Sequence, residues 1–318
     1  MAQHYKTATV FGGTGFLGRQ IVRGLARRGV IVKVATRVPE RAYFLKPSGD
    51  PGQVVPVACD YSNAQSVQRA IEGSDYVVNC IGILFQRGRG RNFKALHTDL
   101  PGSIASLCAQ SGVKRLVHIS ALGVEAGTSR YAKTKFAGEK AVLENFPQAT
   151  ILRPSVIFGE GDHFFNMFAE MSRYLPFLPL IGGGKTRFQP VFVGDVAEAA
   201  MSVLEAPRAR GQIYELGGPE ILTFKEIYER LFKQTGRVRA LVSLPFWAAK
   251  MQAFFMGFLP NPPLTMDQVE SLRSDNIVKE GALRLGDLEI QPTALSVILP
   301  VYLQTYRRGG RFSKVQEA

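Results

Sequence analysis

Four glycines stand in the stretch FGGTGFLG, residues 11–18, between a short apolar run and a segment with helical apolar spacing. Where a strand feeds a glycine-rich turn into a helix, backbone N–H groups and the positive helix end converge on one point. Glycine is needed there because a Cβ would hold a phosphate away. The stretch therefore predicts a pyrophosphate-binding turn, the alternative being a turn with a structural role only. The expected contacts are Gly12, Thr14, Gly15, Phe16, Leu17 and Gly18.

The end of the second apolar run indicates which dinucleotide is bound. A reader of the ribose 2′-hydroxyl would be Asp or Glu, roughly 20 residues after the glycines. The chain instead reads Ala35-Thr36-Arg37, with Arg41 one turn later. Arginine suits a 2′-phosphate, so the sequence favours NADPH over NADH, unless Arg37 and Arg41 only line a solvated face. Asp60 is placed to accept from the adenine amine, and Gly82 follows the fourth run, where backbone passes the cofactor.

Apolar runs alternate with helical periodicity from Thr7 to Arg153. Runs without polar alternation are typical of parallel strands that are covered on both faces. Six such strands joined by right-handed crossovers predict an α/β fold with a Rossmann-type doubly wound sheet. The predicted strands are Ala8 to Phe11, Val30 to Thr36, Val54 to Cys59, Tyr76 to Ile81, Leu116 to Ser120 and Thr150 to Leu152. Glycines 29, 73 and 112 fall where helices should end.

The alternation breaks down after Pro154, where prolines and aromatic residues accumulate. We expect a dinucleotide-binding domain over residues 1–155 and a smaller mixed lobe over 156–318. The pattern also allows the chain to return to the first domain near residues 188–218. Two stretches are basic, RGRGRNFK from Arg87 to Lys94 and the tail from Tyr306 to Lys314. The first lacks interleaved aromatics, so it indicates a docking loop for protein or anionic lipid rather than RNA.

Composition is that of a soluble globular protein, with 46% hydrophobic and 20% charged residues among 318. The balance of 39 basic against 26 acidic residues, 39 − 26 = +13, favours anionic partners without choosing among them. The cysteines and histidines form neither a disulfide framework nor a metal-ligand spacing, so we expect no metal and a reducing compartment. The first strand begins too early for a signal peptide, and no window has the roughly 18 apolar residues of a transmembrane helix.

The most apolar segment is LPFWAAKMQAFFMGFL, Leu244 to Leu259. Trp247, Met251, Phe254, Phe255 and Phe258 would share one face of a helix there, which we call the aromatic face. The pattern favours a helix packed in the core of the second lobe. The alternative is a docking helix, or an interfacial helix that lies on a membrane without crossing it.

Six motifs resemble the short-chain dehydrogenase/reductase superfamily, in its extended or atypical branch. They are GGTGFLG (12–18), CD (59–60), NCIG (79–82), YAKTK (131–135), RPSVIFG (153–159) and FQPVFVGDVA (188–197). The resemblance implies that Lys135 holds the nicotinamide ribose and lowers the pKa of Tyr131 for proton transfer. It also implies cofactor contacts from Tyr61, Ile81, Ser120 and Pro154. The serine or threonine that orients a substrate carbonyl usually lies just past the fifth strand, where this chain has Ala121-Leu122-Gly123 instead. The alternative is that Ser120, at the end of that strand, takes this role.

More narrowly, four segments resemble the nucleotide-binding accessory subunits of respiratory complex I and their bacterial relatives. They are residues 79–93, 129–142, 157–169 and 265–276. This resemblance implies a structural NADPH and a peripheral place beside the membrane arm, on the cytoplasmic side of a bacterial inner membrane or the mitochondrial matrix side. The alternatives are an active NADP-dependent reductase or epimerase that uses Tyr131 and Lys135, and a redox-sensing regulator. His118 and His163 are interpreted as structural.

Overall fold

The computed structural model describes residues 5–86, 92–259, 262–307 and 309–310. The central feature is a parallel sheet of seven strands. Six of them correspond to the six predicted from the sequence. The strands are β1 (Thr7–Phe11), β2 (Ile31–Thr36), β3 (Val54–Ala58), β4 (Tyr76–Asn79), β5 (Arg115–Ile119), β6 (Thr150–Pro154) and, from the later part of the chain, β11 (Ile213–Leu216).

The strand order is β11-β6-β5-β4-β1-β2-β3. Chain order reverses direction between β1 and β4, and a crevice opens at the carboxyl ends of the strands at such a switch point. Residues of β4, β5 and β6 are buried at every position, as expected for strands covered on both faces. The predicted Rossmann-type α/β fold is confirmed, and the predicted strand count of six is one too few.

Helices cover both faces of the sheet and build the second lobe. They are α1 (Phe16–Arg27), α2 (Ala64–Ile71), α3 (Leu100–Gln110), α4 (Arg130–Asn145), α5 (Phe164–Tyr174), α6 (Val193–Glu205), α7 (Phe224–Thr235), α8 (Phe246–Met256), α9 (Met266–Ser271) and α10 (Leu295–Tyr302). One apolar layer packs α1 and α6 together against the sheet, and the other packs α2 and α3 against the opposite face. Glycines 29, 73 and 112 have φ of +76°, +69° and +67°, which confirms them as left-handed helix ends.

The second lobe has its own core, made largely of aromatic side chains from α5, α7 and α10. Phe168 contacts both Phe224 and Tyr228, with ring centroids 5.4 and 5.0 Å apart. Short strands complete the lobe: β7 (Ile157–Phe158), β8 (Phe177–Ile181), β9 (Arg187–Phe188), β10 (Val191–Phe192), β12 (Leu222–Thr223) and β13 (Ala240–Leu244). Strand β13 pairs with β8, and α8 follows β13.

Helix α8 buries little of itself. Its fully covered residues are Ala249 and Ala253. On the aromatic face, Trp247 is 69% exposed and Phe255 63%. Phe258 is 78% exposed but lies two residues beyond the end of α8, so the prediction that it shares the helix face is wrong. The interpretation of this segment as a core helix is therefore wrong for the aromatic face. Within the described ranges, no helix combines the length and apolarity needed to cross a membrane.

Both basic stretches lie partly outside the described residues. Of the first, residues 87–91 are not described, and of the tail, residue 308 and residues 311–314 are not described.

Candidate dinucleotide-binding site

The glycine-rich turn joins β1 to α1 at the switch point of the sheet. The Gly15 amide donates to the carbonyl of Gly12 at 2.9 Å, and Gly15 is the N-cap of α1. A Cβ on Gly18 would lie 2.2 Å from the same carbonyl oxygen, so no other side chain fits there. Gly12 has φ of +75°, and a Cβ on it would lie 3.1 Å from the Cys80 backbone. The turn is thus packed tightly against the loop that follows β4.

The start of α1 is suited to an anion. No side chain caps its first turn, and no acidic residue lies in that turn. The first N–H groups of a helix have no partner within the helix, and the helix dipole adds positive character there. A pyrophosphate supplies the oxygen acceptors and the negative charge that this turn lacks. Thr14, Phe16 and Leu17, which are also predicted cofactor contacts, lie on the same turn.

The ends of β2 and β3 form the side of the crevice where the adenosine would bind. Arg37 is exposed, and its guanidinium carbon lies 5.8 Å from the centre of the Tyr61 ring. The Tyr61 hydroxyl donates to the carbonyl of Ala35 at 2.9 Å. Arg41 is exposed one turn after Arg37. The structure therefore brings the predicted residues Arg37 and Tyr61 together, with Arg41 one turn further along the chain.

Asp60 faces this edge, but its carboxylate is already engaged. One oxygen accepts from the amide and the hydroxyl of Ser62, at 2.9 and 2.8 Å. These two hydrogen bonds, with a contribution from the charge on Arg37, lower the pKa of Asp60. The predicted adenine contact would use the remaining carboxylate oxygen.

The residues predicted to hold the nicotinamide end lie at the carboxyl ends of β4, β5 and β6. Ser120 and Pro154 are buried immediately beside the crevice, and Ile81 and Gly82 follow β4. A Cβ on Gly82 would lie 3.4 Å from Nζ of Lys135, an ordinary contact distance, so Gly82 lies directly beside the lysine. Ser120 Oγ is buried and has no hydrogen-bond partner within the part of the chain that the structure describes. An unmatched hydroxyl beside Lys135 fits a site that binds a polar group.

Tyr131 and Lys135 lie one turn apart on α4, but their electrostatics differ from those of an activated pair. Lys135 Nζ donates to the carbonyl of Ile119 at 2.9 Å, and burial lowers the pKa of Lys135 to about 8. Burial, and to a smaller extent the nearby carboxylate of Asp267, raises the pKa of Tyr131 to about 12. A tyrosine with a raised pKa is a weaker acid, which is opposite to what proton transfer from Tyr131 requires. Just beyond β5, at the position where the resemblance implies a serine or threonine, the side chain is Leu122, which is 5% exposed.

A histidine that the sequence analysis missed supports this end of the site. His97 is fully buried in a π-helical turn, Lys94–Asp99. Its Nε2 accepts from the amide of Ile83 at 3.0 Å, and its Nδ1 lies 3.2 Å from Oγ1 of Thr134. Its ring meets Tyr131 edge to face at 5.3 Å. Burial, and to a smaller extent the charge on Lys135, lowers the pKa of His97 to about 3. Nothing in the local sequence signals a π-helical turn, although such turns are frequent at functional sites.

The histidine interpreted as structural in β5 is buried as expected. His118 is fully covered, and its Nδ1 lies 3.2 Å from the side-chain nitrogen of Asn79 on the neighbouring strand. Burial and the charge on Lys135 lower its pKa. His163 lies exposed at the start of α5. Among the described residues no group of His, Cys, Asp and Glu could hold a metal ion.

The second lobe also reaches the site. Asp267, from α9, accepts hydrogen bonds from the first amides of α4, and Asn276 lies between the ends of β5 and β6. Neither was predicted as a site residue. Both lie in the segment 265–276 that carries part of the narrow resemblance.

The similarity to known proteins extends over nearly the whole chain. A protein from Arabidopsis thaliana named NADH dehydrogenase [ubiquinone] 1 alpha subcomplex subunit 9, mitochondrial, is 36% identical over 95% of this chain and 78% of its own length. The NADH-ubiquinone oxidoreductase 40 kDa subunit, mitochondrial, of Neurospora crassa is 32% identical over 95% of this chain and 80% of its own length. These relatives confirm the narrow resemblance.

Solved structures agree with the fold. Triphenylmethane reductase from Citrobacter sp. superposes with a TM-score of 0.75 at 20% identity, covering 93% of this chain and 99% of that one. The same enzyme complexed with NADP(H) gives a TM-score of 0.72. Residues 8–217, which include the glycine turn, Tyr131 and Lys135, match a family described as NAD dependent epimerase/dehydratase. Because this match covers the glycine-rich turn and the pair on α4, the chain belongs to the NAD-dependent epimerase/dehydratase family.

Proposed function

We propose that this protein is an accessory subunit of respiratory complex I that holds NADPH as a structural cofactor. The observation that supports the proposal best is the share of the chain that is similar: 95% of it matches each of two complex I subunits, one from Arabidopsis thaliana and one from Neurospora crassa. Because the match covers 95% of the chain, it extends beyond the first lobe over most of the second. The proposed location is membrane-associated, on the matrix side in mitochondria or the cytoplasmic side in bacteria.

The electrostatics of the crevice support a held rather than a reacting dinucleotide. A bound nicotinamide supplies hydride chemistry, but Tyr131 has a raised pKa, and Lys135 donates to the carbonyl of Ile119. The buried Leu122 follows β5 where the resemblance calls for a hydroxyl. Asp267 places a carboxylate against the α4 turn that carries Tyr131. These features oppose proton donation to a carbonyl substrate while leaving the cradle for the pyrophosphate intact.

Arg37 supports NADPH over NADH. Strand β2 ends at Thr36 without an acidic residue that would accept from a 2′-hydroxyl. The exposed guanidinium of Arg37 lies over the Tyr61 ring, at the edge where the adenosine ribose would bind. A charge-assisted hydrogen bond contributes about 1.5–3 kcal/mol. Arg37→Ala should therefore weaken NADPH binding roughly ten-fold to a hundred-fold and leave NADH binding unchanged, as measured by calorimetry.

The matched control is Arg27→Ala, because Arg27 is exposed at the far end of α1 from the glycine turn. Both variants should fold alike, and Arg27→Ala should bind NADPH as the wild type does. An Arg37→Ala variant that keeps its preference for NADPH would exclude this reading of the 2′-phosphate site.

The aromatic face supports a place at the membrane-proximal surface. Its exposed side chains would be unfavourable in water, and large exposed apolar patches mark interaction sites. Helix α8 has 11 residues, about 16 Å, so it can lie in an interface but not cross a bilayer. The net charge of +13 favours contact with acidic lipid headgroups at such a surface.

Three experiments test the assignment. Affinity-purified native protein should carry complex I subunits with it in mild detergent, and a preparation that never does so would end the proposal. Flotation with vesicles that contain an acidic phospholipid should recover the wild type, whereas Phe255→Ser combined with Phe258→Ser should recover less. Ser243→Ala, an exposed change on β13, is the control.

The third experiment tests for turnover. The NADPH released on denaturation should be unchanged after the protein has been incubated with carbonyl substrates. Steady turnover that is lost in Tyr131→Phe would instead favour the reductase.

A further inference from the structure

A segment of the second lobe, residues 264–276, crosses the carboxyl edge of the sheet, and we call it the strap. It contains α9, whose start is fixed by a capping box between Thr265 and Gln268. Within this turn Asp267 points towards α4. One carboxylate oxygen accepts from the amide of Arg130 at 2.6 Å, and the other accepts from the amide of Tyr131 at 3.0 Å. The strap thus binds the helical turn that carries Tyr131.

Two more contacts hold the same turn. Ser129 is the N-cap of α4, and its hydroxyl accepts from the amide of Ala132 at 3.1 Å. Ser271 of the strap donates to that hydroxyl at 3.1 Å, and Thr128 donates to Glu270 of the strap at 3.0 Å. The first turn of α4 contains no acidic residue of its own. Asp267 supplies the negative charge that stabilises a helix start, from more than a hundred residues away.

The other end of the strap reaches the strands that carry Ser120 and Pro154. The side-chain nitrogen of Asn276 donates to the carbonyl of Leu122 at 3.1 Å. Its side-chain oxygen accepts from the hydroxyl of Ser155 at 2.6 Å. The strap therefore contacts three of the elements that form the nicotinamide end, namely α4 and the ends of β5 and β6.

The strap is also joined to α8. Glu270 pairs with Lys250 of α8 at 2.7 Å, and Val269 lies in one small apolar cluster with Ala249 and Ala253. Movement of α8 would thus be transmitted to Asp267 through α9, whose six residues hold both contacts. The opposite face of α8 is the exposed aromatic face.

We propose that Asp267 is a positioning residue for the dinucleotide site, which acts from outside the dinucleotide-binding domain by fixing the α4 turn of Tyr131. Binding of NADPH and ordering of the strap and α8 are then linked. This inference rests on the proposed binding of NADPH. By reciprocity, whatever fixes the strap on α4 raises the affinity for NADPH, and NADPH in turn protects the strap. The dinucleotide would thereby pre-order the surface that the aromatic face presents.

Hydrogen exchange of the full-length protein, with and without NADPH, tests the linkage. In the wild type, NADPH should slow exchange in residues 12–18, in the strap and in α8. In Asp267→Asn, protection of residues 12–18 should remain at saturating NADPH, protection of the strap and α8 should be lost, and the Kd for NADPH should rise about five-fold or more. Asp267→Glu keeps the carboxylate and should restore part of the linkage.

Asp275→Asn is the matched control, since Asp275 lies in the same strap but pairs with Arg187 of the second lobe. It should keep the protection of residues 264–272 and the wild-type affinity. Protection of residues 12–18 without protection of the wild-type strap would overturn the inference and leave the proposed function standing. Equal behaviour of the Asp267 and Asp275 variants would also overturn it. A wild type in which residues 12–18 show no protection would overturn NADPH binding itself, and the linkage with it.

Discussion

Replacement of His97 by glutamine should remove part of the acid sensitivity of this protein. His97 is buried, and its Nε2 lone pair is occupied by the amide of Ile83. A second proton would have to sit at that nitrogen, opposite a donor, so the folded state keeps the ring neutral. Burial and the charge on Lys135 accordingly lower the pKa of His97 from 6.5 to about 3. A glutamine side chain in its place could still accept from Ile83 but would not titrate.

The direction and size of the effect follow from linkage. Below pH 6.5 the unfolded chain takes up a proton at His97 and the folded chain does not, so stability is lost as the pH falls from 6.5 towards 3. At pH 5 this single group removes about 2 kcal/mol relative to pH 7.5. With roughly 2.1 cal/mol/K of unfolding entropy per residue, that corresponds to about 3 °C in Tm for a chain of 318 residues.

Calorimetry at pH 7.5 and pH 5 provides the measurement. The loss of Tm between the two pH values should be about 3 °C smaller in His97→Gln than in the wild type. His163→Gln, a change at an exposed histidine, should leave the wild-type loss unchanged. Equal losses in the wild type and in His97→Gln would refute the argument that His97 is held neutral.

Three further predictions concern the cradle and the core. Gly18→Ala places a Cβ 2.2 Å from a backbone carbonyl and should weaken NADPH binding at least ten-fold by fluorescence titration, whereas Gly286→Ala, with open space around its Cβ, should not. NADPH at about 100 times its Kd should raise Tm by about 4 °C in the wild type, and an unshifted Tm would argue against binding. Glu139→Gln breaks the bidentate pair with the buried Arg153 and should lower the free energy of unfolding, measured with denaturant, by about 3 kcal/mol. The exposed Glu229→Gln should lower it by less than about 0.5 kcal/mol. Similar losses in the two variants would contradict this prediction.

Much of the first lobe could be predicted because its signals are local. Each of the six predicted strands begins and ends within two residues of the observed one, since a strand buried on both faces must be apolar along its whole length. The glycines at 29, 73 and 112 were recognisable because a left-handed helix end favours glycine wherever it occurs. The glycine turn was recognisable for the same reason, because glycines at this spacing indicate a turn in which the backbone leaves no room for side chains.

The second lobe was harder to predict. Its strands are mostly two residues long and are set by pairing between distant segments, as between Phe188 and Leu222. Such pairs leave no periodicity in either segment. The aromatic face illustrates the same limit, because an amphipathic pattern shows that one face of a helix is apolar but not whether anything covers that face.

By itself, then, the amino-acid sequence determined the α/β fold, the position of the dinucleotide cradle and the pair Tyr131 and Lys135, because each depends on neighbours in the chain. The tertiary structure decided the environment of that pair. His97 reaches Thr134 across 37 residues, and Asp267 reaches Tyr131 across 136. The pKa of a side chain depends on the burial and charges around it, and these are contributed by segments that only folding brings together.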